Sequence, residues 1–560
     1  MMGGGKSNNK AAQKSNQNNI IQNISNEEEQ TQFSKKYYLK AELCYEKGQF
    51  EEAIKHYKKC IELNQKLDYC YMNLGVCYDK QGKFDEAIEQ YNKCLNLNPR
   101  DFTCYLNLGI SYKKKGMLDE AIKQYFKCLT LNPKDSLCYY NLGNAYNLQG
   151  DQNKAAQYFQ KCVELDPNDY QCFYSLGQIQ LNLGMIDEAI ESYEKCLSIN
   201  PCFENCLLNL GCAYLDKNLT NKAIQVFLKC LKINPQNENC YINLGNAYYD
   251  KNMFEESIIQ YLQCLSLNPK NDLCCVNLGK AYKKLGEFSE ALNQFEKCLT
   301  ININNENCHF EFGDLYLDQN NYDEAIKWFE KCLSLNPKNS VCTMNLGFAF
   351  KKKGMLDEAI EQYLKCLKIS PQYSLCYFNL ANCQRQKEMP DEAIQNYLKC
   401  VNLDPEQIDC YQCIGSTYLY NKKNYDEAIR FFQKYIDLCP NDPEGYFNQG
   451  LAYDFKYMYD DAIKLYQKSA DLDPNNDYYI MAVGLVYKIQ GKAEESKIAL
   501  KKCLLLNPKN ETCLINLGNL YENSNQLDEA YKLYQTCLEI NPTNDQCLKL
   551  IENIKQKIKV

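Results

Sequence analysis

Residues 68–101 read "DYCYMNLGVCYDKQGKFDEAIEQYNKCLNLNPRD" and residues 102–135 read "FTCYLNLGISYKKKGMLDEAIKQYFKCLTLNPKD". A shift of 34 residues lays one on the other, and the same shift recurs with starts at 68, 102, 136, 170, 204, 238, 272, 306, 340, 374, 408, 443, 477 and 511. A shorter, worn copy covers 35–67, which makes fifteen repeats, and the repeat from Ile408 carries one extra residue near Lys422-Lys423. Self-similarity at such a period means a stack of identical supersecondary units rather than a set of globular domains. Each unit reads as two helices. Positions 4, 7, 8 and 11 (Tyr71, Leu74, Gly75, Tyr78) fall on one face of the first helix, and positions 20, 24 and 27 (Ala87, Tyr91, Cys94) on one face of the second. Position 15 is Gly82, Gly116, Gly150, Gly184, Gly286 or Gly354, and elsewhere Asn218, Asn252 or Asn320, the residue types that close a helix in the left-handed conformation. Proline at Pro99, Pro133, Pro167 and ten equivalent sites stops the second helix, because the residue before it is pushed out of the helical region.

Composition narrows the function. The net charge is −8, and basic and acidic residues are interspersed, so no electrostatic footprint for nucleic acid is present. No apolar run approaches the roughly 18–20 residues of a membrane-spanning helix. The Asn/Gln/Ser-rich stretch 1–33 has no apolar core of a secretory signal and reads as a disordered tail. Met2 separates the first residue from Gly3, which excludes a myristoylation site, and Gly5-Lys6-Ser7 lies too near the start for a phosphate loop. With nothing directing the chain to an oxidising compartment, a cytoplasmic setting is expected.

The repeat resembles the tetratricopeptide repeat, a 34-residue helix–turn–helix unit, through Tyr71, Leu74, Gly75, Tyr78, Gly82, Ala87, Tyr91 and Pro99 and their copies over residues 35–544. The resemblance implies an all-α, right-handed superhelical solenoid, with first helices lining a concave groove and second helices outside. It also implies a protein that binds proteins and catalyses nothing. The organisation expected is a tail over 1–33, a repeat array over 34–544 and a capping helix over 545–560. In that last helix Leu548, Ile551, Ile554 and Ile558 share a side.

The departure from the family pattern is cysteine at position 27 and at position 3 of the next repeat, thirteen pairs from Cys60/Cys70 to Cys537/Cys547. Both positions lie at the seam between repeats, where a small apolar side chain lets helices approach to about 8–10 Å. Disulfides are conceivable there, but the seam also accepts Tyr435, Ser469, Gly445 and Tyr479, so packing is the expected role. Cys410 and Cys413 have ligand-like spacing without a second pair at finger distance, so no metal is expected. His56 and His309, the two histidines, have no nucleophile at a plausible spacing. The repeated Asp85-Glu86-Ala87 places acids at a helix start, a dipole role and not an acid–base pair. No enzyme and no cofactor is expected.

Positions 2, 6, 9 and 13 of the first helix share the face turned to the groove. Position 6 is asparagine in ten repeats: Asn73, Asn107, Asn141, Asn209, Asn243, Asn277, Asn345, Asn379, Asn448 and Asn516. Asparagine inside a helix costs about 0.5 kcal/mol relative to alanine, so the ladder asks for an offset. It is similar to the asparagine ladder of the O-linked N-acetylglucosamine transferase, which grips the backbone of an extended peptide. One amide offers donors and an acceptor to any peptide unit, whatever its side chain. The Hsp70/Hsp90-type carboxylate clamp of other family members is absent: after Asn246 and Asn277 come Asn307 and Glu311, and Ile242 stands where its first lysine belongs. Lys113-Lys114-Lys115, Lys283-Lys284 and Lys351-Lys352-Lys353 oppose the negative ends of first helices. The expected function is a scaffold or adaptor holding an extended polypeptide. The alternatives are a targeting or regulatory subunit of an enzyme such as a glycosyltransferase, and a component of a ciliary or transport assembly.

Overall fold

The computed structural model describes residues 32–558. They form two compact units that divide between Glu287 and Phe288. Every described element is helical, fifteen helix pairs followed by a final helix, as expected for an all-α tetratricopeptide-type solenoid. In each pair we call the first helix A and the second B. The repeat from Asp68 pairs Asp68–Lys80 with Phe84–Leu97, and the next pairs Phe102–Lys114 with Leu118–Leu131. Each end of the A helix has a local cause. Its start is capped by the residue before it: Asp101, Asp135, Asn237, Asn271, Asn339 and Asn510 accept from the backbone N–H three residues on. Its end is closed by the left-handed residue, Gly82 at φ 73° or Asn218 at φ 57°. At Asn98 the B helix closes on Cys94 O, one residue before Pro99.

Inside a repeat, A meets B through a glycine. A Cβ on Gly75 would lie 2.7 Å from Cε1 of Tyr91, so position 8 is small because the position-24 ring occupies that space. Ala87, Tyr91 and Cys94 are fully buried, and their equivalents build a core that runs from repeat to repeat. Successive A helices touch one another, as Asp68–Lys80 does Phe102–Lys114, or Glu306–Asp318 does Ser340–Lys352. Successive B helices do not do so to a comparable extent among the described residues. The A helices therefore line the inner side of each unit. Across the outer rim Lys115 pairs with Asp85, Lys217 with Asp187, Lys387 with Asp357, and Lys456 with Asp426. The first acid of the repeated Asp-Glu-Ala thus also ties one repeat to the next; as exposed pairs each contributes at most about 1 kcal/mol.

The seam cysteines are buried side by side, as small residues at a close helix approach should be. The expectation of packing alone is corrected in two seams, where Cys162–Cys172 and Cys503–Cys513 are disulfides with Cα atoms 6.3 and 7.0 Å apart. The reason is the geometry of the close approach itself, which brings both sulfurs to one point. Where the pairs are missing, volume is exchanged rather than lost. Gly445 faces Tyr435, whose ring would lie 2.7 Å from a Cβ there, and Ser469 pairs with Tyr479 while donating to Pro443 O at 2.9 Å.

The extra residue of the repeat from Ile408 is absorbed by a π-helix, Thr417–Lys422, at the end of its A helix, closed by Lys423 at φ 52°. Widening one turn lets the insertion pass without shifting the register of either flanking helix. Residues 1–31 of the expected tail lie outside the described residues, and the first A helix begins at residue 32, inside the 1–33 boundary drawn from composition. The final helix, Asp545–Ile558, buries Cys547, Ile551 and Ile554 against Cys537, Ala530 and Tyr534. Leu548 is 43 % exposed, in contrast to the side assigned to it from the sequence. The buried stripe runs through 547, 551 and 554, and Leu548 stands one residue, about 100° of helix, beyond Cys547. The side chain of Ile558 lies outside the described residues.

Candidate functional site

The position-6 asparagines lie on the inner side of the A helices, half-buried or buried, and most are already engaged. Asn73 donates to Glu42 Oε1 at 2.8 Å and to Tyr38 Oη at 3.3 Å. Asn209 donates to Tyr174 Oη at 3.3 Å, Asn243 to Cys212 Sγ at 3.5 Å and Asn277 to Asn246 Oδ1 at 3.1 Å. These three bonds join neighbouring A helices. Asn141, Asn379 and Asn516 instead donate to the carbonyl four residues back, Leu137, Leu375 and Thr512. Either bond offsets the helix cost of asparagine. Asn73 spends both amide N–H groups, and each of the others spends one of its two, so an N–H remains there. Asn107, Asn345 and Asn448 make no side-chain hydrogen bond among the described residues.

Lysines at position 12 share this inner side, a placement that helix-end electrostatics did not suggest. Lys113 donates to Asn141 Oδ1 at 2.8 Å and Lys488 to Asn516 Oδ1 at 2.7 Å, so position-12 lysines feed the ladder at these two points. Burial pulls the ammonium groups of Lys113, Lys351 and Lys488 below their ordinary range. The lysines that follow the last A-helix turn face the rim instead, as Lys115 does toward Asp85.

A second set of groups reaches the inner side from behind. The position-24 tyrosines are buried in the core with their hydroxyls directed at the A helix of their own repeat. Tyr91 donates to Asp79 at 2.8 Å, Tyr261 to Asn246 at 2.6 Å, Tyr397 to Asn382 at 2.7 Å and Tyr534 to Asn519 at 2.6 Å. Tyr57 and Tyr466 find Glu42 and Asp454. The hydroxyls of Tyr125, Tyr193 and Tyr363 are buried and make no hydrogen bond of normal geometry, although the Asn209 amide lies near enough to the Tyr193 phenol to act on it. The sequence held the signal, since position 9 or position 12 is Asn, Asp or Glu wherever a partner is found. They are Ile110 and Lys113, Gln178 and Leu181, and Phe348 and Lys351 where none is.

One of these three hydroxyls underlies a cavity of about 250 Å³ lined by Asn147, Gln178, Asn182, Tyr193, Asn209 and Cys212 with Ile179 and Leu181. Four amides, one of them the ladder residue Asn209, and the Tyr193 phenol converge there. Gln178 donates to Tyr174 Oη at 3.0 Å, and Asn147 accepts from Gln152 at 3.0 Å, which fixes both amides. Such a set can hydrogen-bond a peptide unit on both its N–H and its C=O.

Models of the tetratricopeptide repeat match residues 33–100, 102–135, 136–169, 170–201 and 512–544. Others match 211–252 and 245–286, 273–305 and 443–476, 307–339, 344–373, 408–442 and 478–510, and 362–395. The chain belongs to the tetratricopeptide repeat family. Repeats of this family are protein-interaction scaffolds. No curated protein matches the chain. Among solved structures it is similar to the MamA protein, at 31 % identity over 30 % of this chain and 92 % of that one, TM-score 0.29. It is also similar to YrrB, described as a TPR protein with an unusual peptide-binding site, at 27 % identity over 33 % of this chain and 95 % of that one, TM-score 0.30. A third likeness is the C-terminal part of a TPR repeat-containing protein from Cytophaga hutchinsonii, at 22 % identity, covering 43 % and 99 %, TM-score 0.40.

Two further features of the tetratricopeptide array bear on binding. Ile242, in the place of a clamp lysine, is buried and supplies no charge to the groove. On the B-helix side of the second unit a cavity of about 650 Å³ is lined by His309, Phe312, Tyr316, Trp328 and Lys331. Trp328 stacks on Phe312 at 4.1 Å between centroids, Lys331 lies 3.9 Å over its ring, and the His309 ring nitrogen Nε2 donates to Ile303 O at 2.9 Å. His309 thus takes over the bond that Tyr411 and Tyr446 make to Pro405 O and Pro440 O in their repeats. No helix among the described residues is long and apolar enough to cross a membrane.

Proposed function

We propose that this tetratricopeptide protein is a non-catalytic scaffold that holds an extended polypeptide along the inner side of its A helices. The observation that carries the reading is the amide-lined cavity over Tyr193, with Asn209 at its edge. It offers donors and acceptors that bond a main chain without regard to side chains, and a buried hydroxyl that lacks a partner until a ligand supplies a carbonyl. The free N–H groups of the other ladder asparagines extend the same chemistry along each unit. Nucleic acid is not the partner in this reading, because the inner-side Lys113 and Lys488 are spent on asparagine carbonyls and the chain is acidic overall. A cytoplasmic setting belongs to the same reading, supported by the thirty cysteines that stand as free thiols.

The test replaces Asn209, Asn243, Asn277 and Asn345 together by alanine and measures the affinity of a peptide segment mapped from a captured partner. Each lost hydrogen bond is worth roughly 0.5–1.5 kcal/mol, so binding should weaken by about 2–6 kcal/mol while helix content holds or rises. Unchanged affinity in the folded variant would reject the ladder as the binding surface.

A further inference from the structure

The seams between repeats hold a chemistry that binding does not use. Thirteen cysteine pairs, each ten residues apart in sequence, occupy the same two positions at successive seams. Both members of every pair are fully buried. Two pairs are bonded. In three others the sulfurs stand 3.1 Å apart (Cys60 and Cys70), 2.7 Å apart (Cys230 and Cys240) and 2.7 Å apart (Cys537 and Cys547). The Cα separations of 6.3 and 7.0 Å at the bonded seams lie within and at the edge of the span a disulfide bridges. The bonded and unbonded seams join the same two repeat positions, at the end of a B helix and the start of the next A helix. At the three seams whose sulfurs stand 2.7–3.1 Å apart, closing the pair asks for little further approach.

We propose that the seam thiol pairs are sites of reversible oxidation by hydrogen peroxide, each closing to a disulfide that ties the B helix of one repeat to the A helix of the next. Peroxide fits the site because it is little larger than water, whereas a bulky disulfide reagent cannot reach a fully buried sulfur. Within a pair the roles are unequal. At some seams the position-3 thiol donates to the position-24 carbonyl, as Cys104 does to Tyr91 O at 3.4 Å, and elsewhere it donates to its partner, as Cys240 does to Cys230 and Cys547 to Cys537. That hydrogen bond from its partner holds the Cys60 thiol down to about 7 and lowers Cys196, Cys230, Cys264, Cys366 and Cys400 as well. At these six seams the position-27 sulfur is therefore the nucleophile, whereas burial raises the Cys537 thiol. As thiolate it attacks one peroxide oxygen, the O–O bond breaks, and hydroxide leaves and takes up the thiolate's former proton as water. The position-3 thiol then gives its proton to the departing oxygen as its sulfur displaces water from the sulfenic acid. Two thiols and one peroxide become one disulfide and two waters.

The seams at Tyr435/Gly445 and Ser469/Tyr479 have no pair and stay unlinked, so oxidation ties the repeats on either side of this stretch and leaves it free.

The experiment treats the reduced full-length chain with hydrogen peroxide, blocks remaining thiols with N-ethylmaleimide and maps the digest by mass spectrometry. Expected are cross-linked peptides joining the two cysteines of one seam, each lighter by two hydrogens and restored by dithiothreitol. Hydrogen exchange should slow at the linked seams and not across 435–479. Sulfinic acid on single cysteines, links between different seams or different molecules, or thiols that survive peroxide in the folded chain would each overturn the proposal. A double variant, Cys230→Ala with Cys240→Ala, keeps small side chains at one seam and should lose the peroxide response there alone; a response that persists at that seam would also overturn it.

Discussion

Two tyrosines at the same repeat position should respond to one substitution with opposite sign. Tyr261 donates to Asn246 at 2.6 Å, whereas the Tyr193 hydroxyl is buried without a partner. Both rings fill the core under a glycine, Gly245 and Gly177, so replacement by phenylalanine preserves the packing and removes only the hydroxyl. Losing the Tyr261 bond should cost about 0.5–1.5 kcal/mol. Removing the unpaired Tyr193 hydroxyl should return its desolvation penalty, about 1–3 kcal/mol in favour of the folded state. The two variants should therefore differ by roughly 1.5–4.5 kcal/mol. A repeat array opens locally, so the measurement is hydrogen exchange of amides within 170–203 and 238–271, not a single melting temperature. Protection should rise in the first segment for Tyr193→Phe and fall in the second for Tyr261→Phe. Equal loss in both would show that the Tyr193 hydroxyl is satisfied after all, and would take away the polar floor of the cavity. With a bound peptide the sign for Tyr193→Phe should reverse: the more stable chain should bind more weakly, by the value of one hydrogen bond. Unchanged affinity would move the ligand off this cavity.

Removing 545–560 exposes Ala530, Tyr534 and Cys537 of the last repeat, so protection should fall in 511–544 and solubility should drop, as checked by exchange and by sedimentation; unaltered protection would mean that the last repeat stands alone. Exchange should be faster in 408–510 than in 204–267, because the π-helix and two exchanged seams interrupt the repeated packing there. Deleting Lys423 should return Thr417–Lys422 to α-helical bonding and slow exchange locally, and a slower rate in the undeleted chain would contradict the account.

What the sequence made legible follows from repetition. Gly82, Asn218 and Pro99 each state a local backbone rule, and thirteen or more copies leave one arrangement that satisfies all of them, so helix pairs, turns and the buried face could be read directly. Partner choice was a different matter. Asn73 and Asn141 occupy the same position, yet one donates to a neighbouring helix and the other to its own backbone. The difference lies in the preceding repeat, where Glu42 offers an acceptor to Asn73 and Lys113 donates to the Asn141 carbonyl. Spacing likewise placed both cysteines at one seam without telling how near their sulfurs come. The extra residue near Lys422 was visible, but a π-helix and a longer loop are equal in length and differ only in which carbonyl each N–H finds.

The tyrosine hydroxyls fall between these cases and show how a site enters a repeat array. Their partners come from positions 9 and 12 of the same repeat, which makes the pairing a matter of sequence alone. Where Asp79, Asn246 or Asn519 is present the hydroxyl is satisfied inside the repeat, and the inner side is closed at that point. Where Gln178 turns to Tyr174 and Leu181 offers no polar atom, the phenol of Tyr193 is left beneath an open cavity. A buried donor without a partner lowers stability, and the array carries three of them among nine otherwise equivalent tyrosines. Substitution by phenylalanine, already present as Phe159, Phe227 and Phe329 at the same position, would remove the cost without disturbing the core. The phenol at Tyr193 and the amides around it are the groups on which the proposed contact with a polypeptide backbone rests.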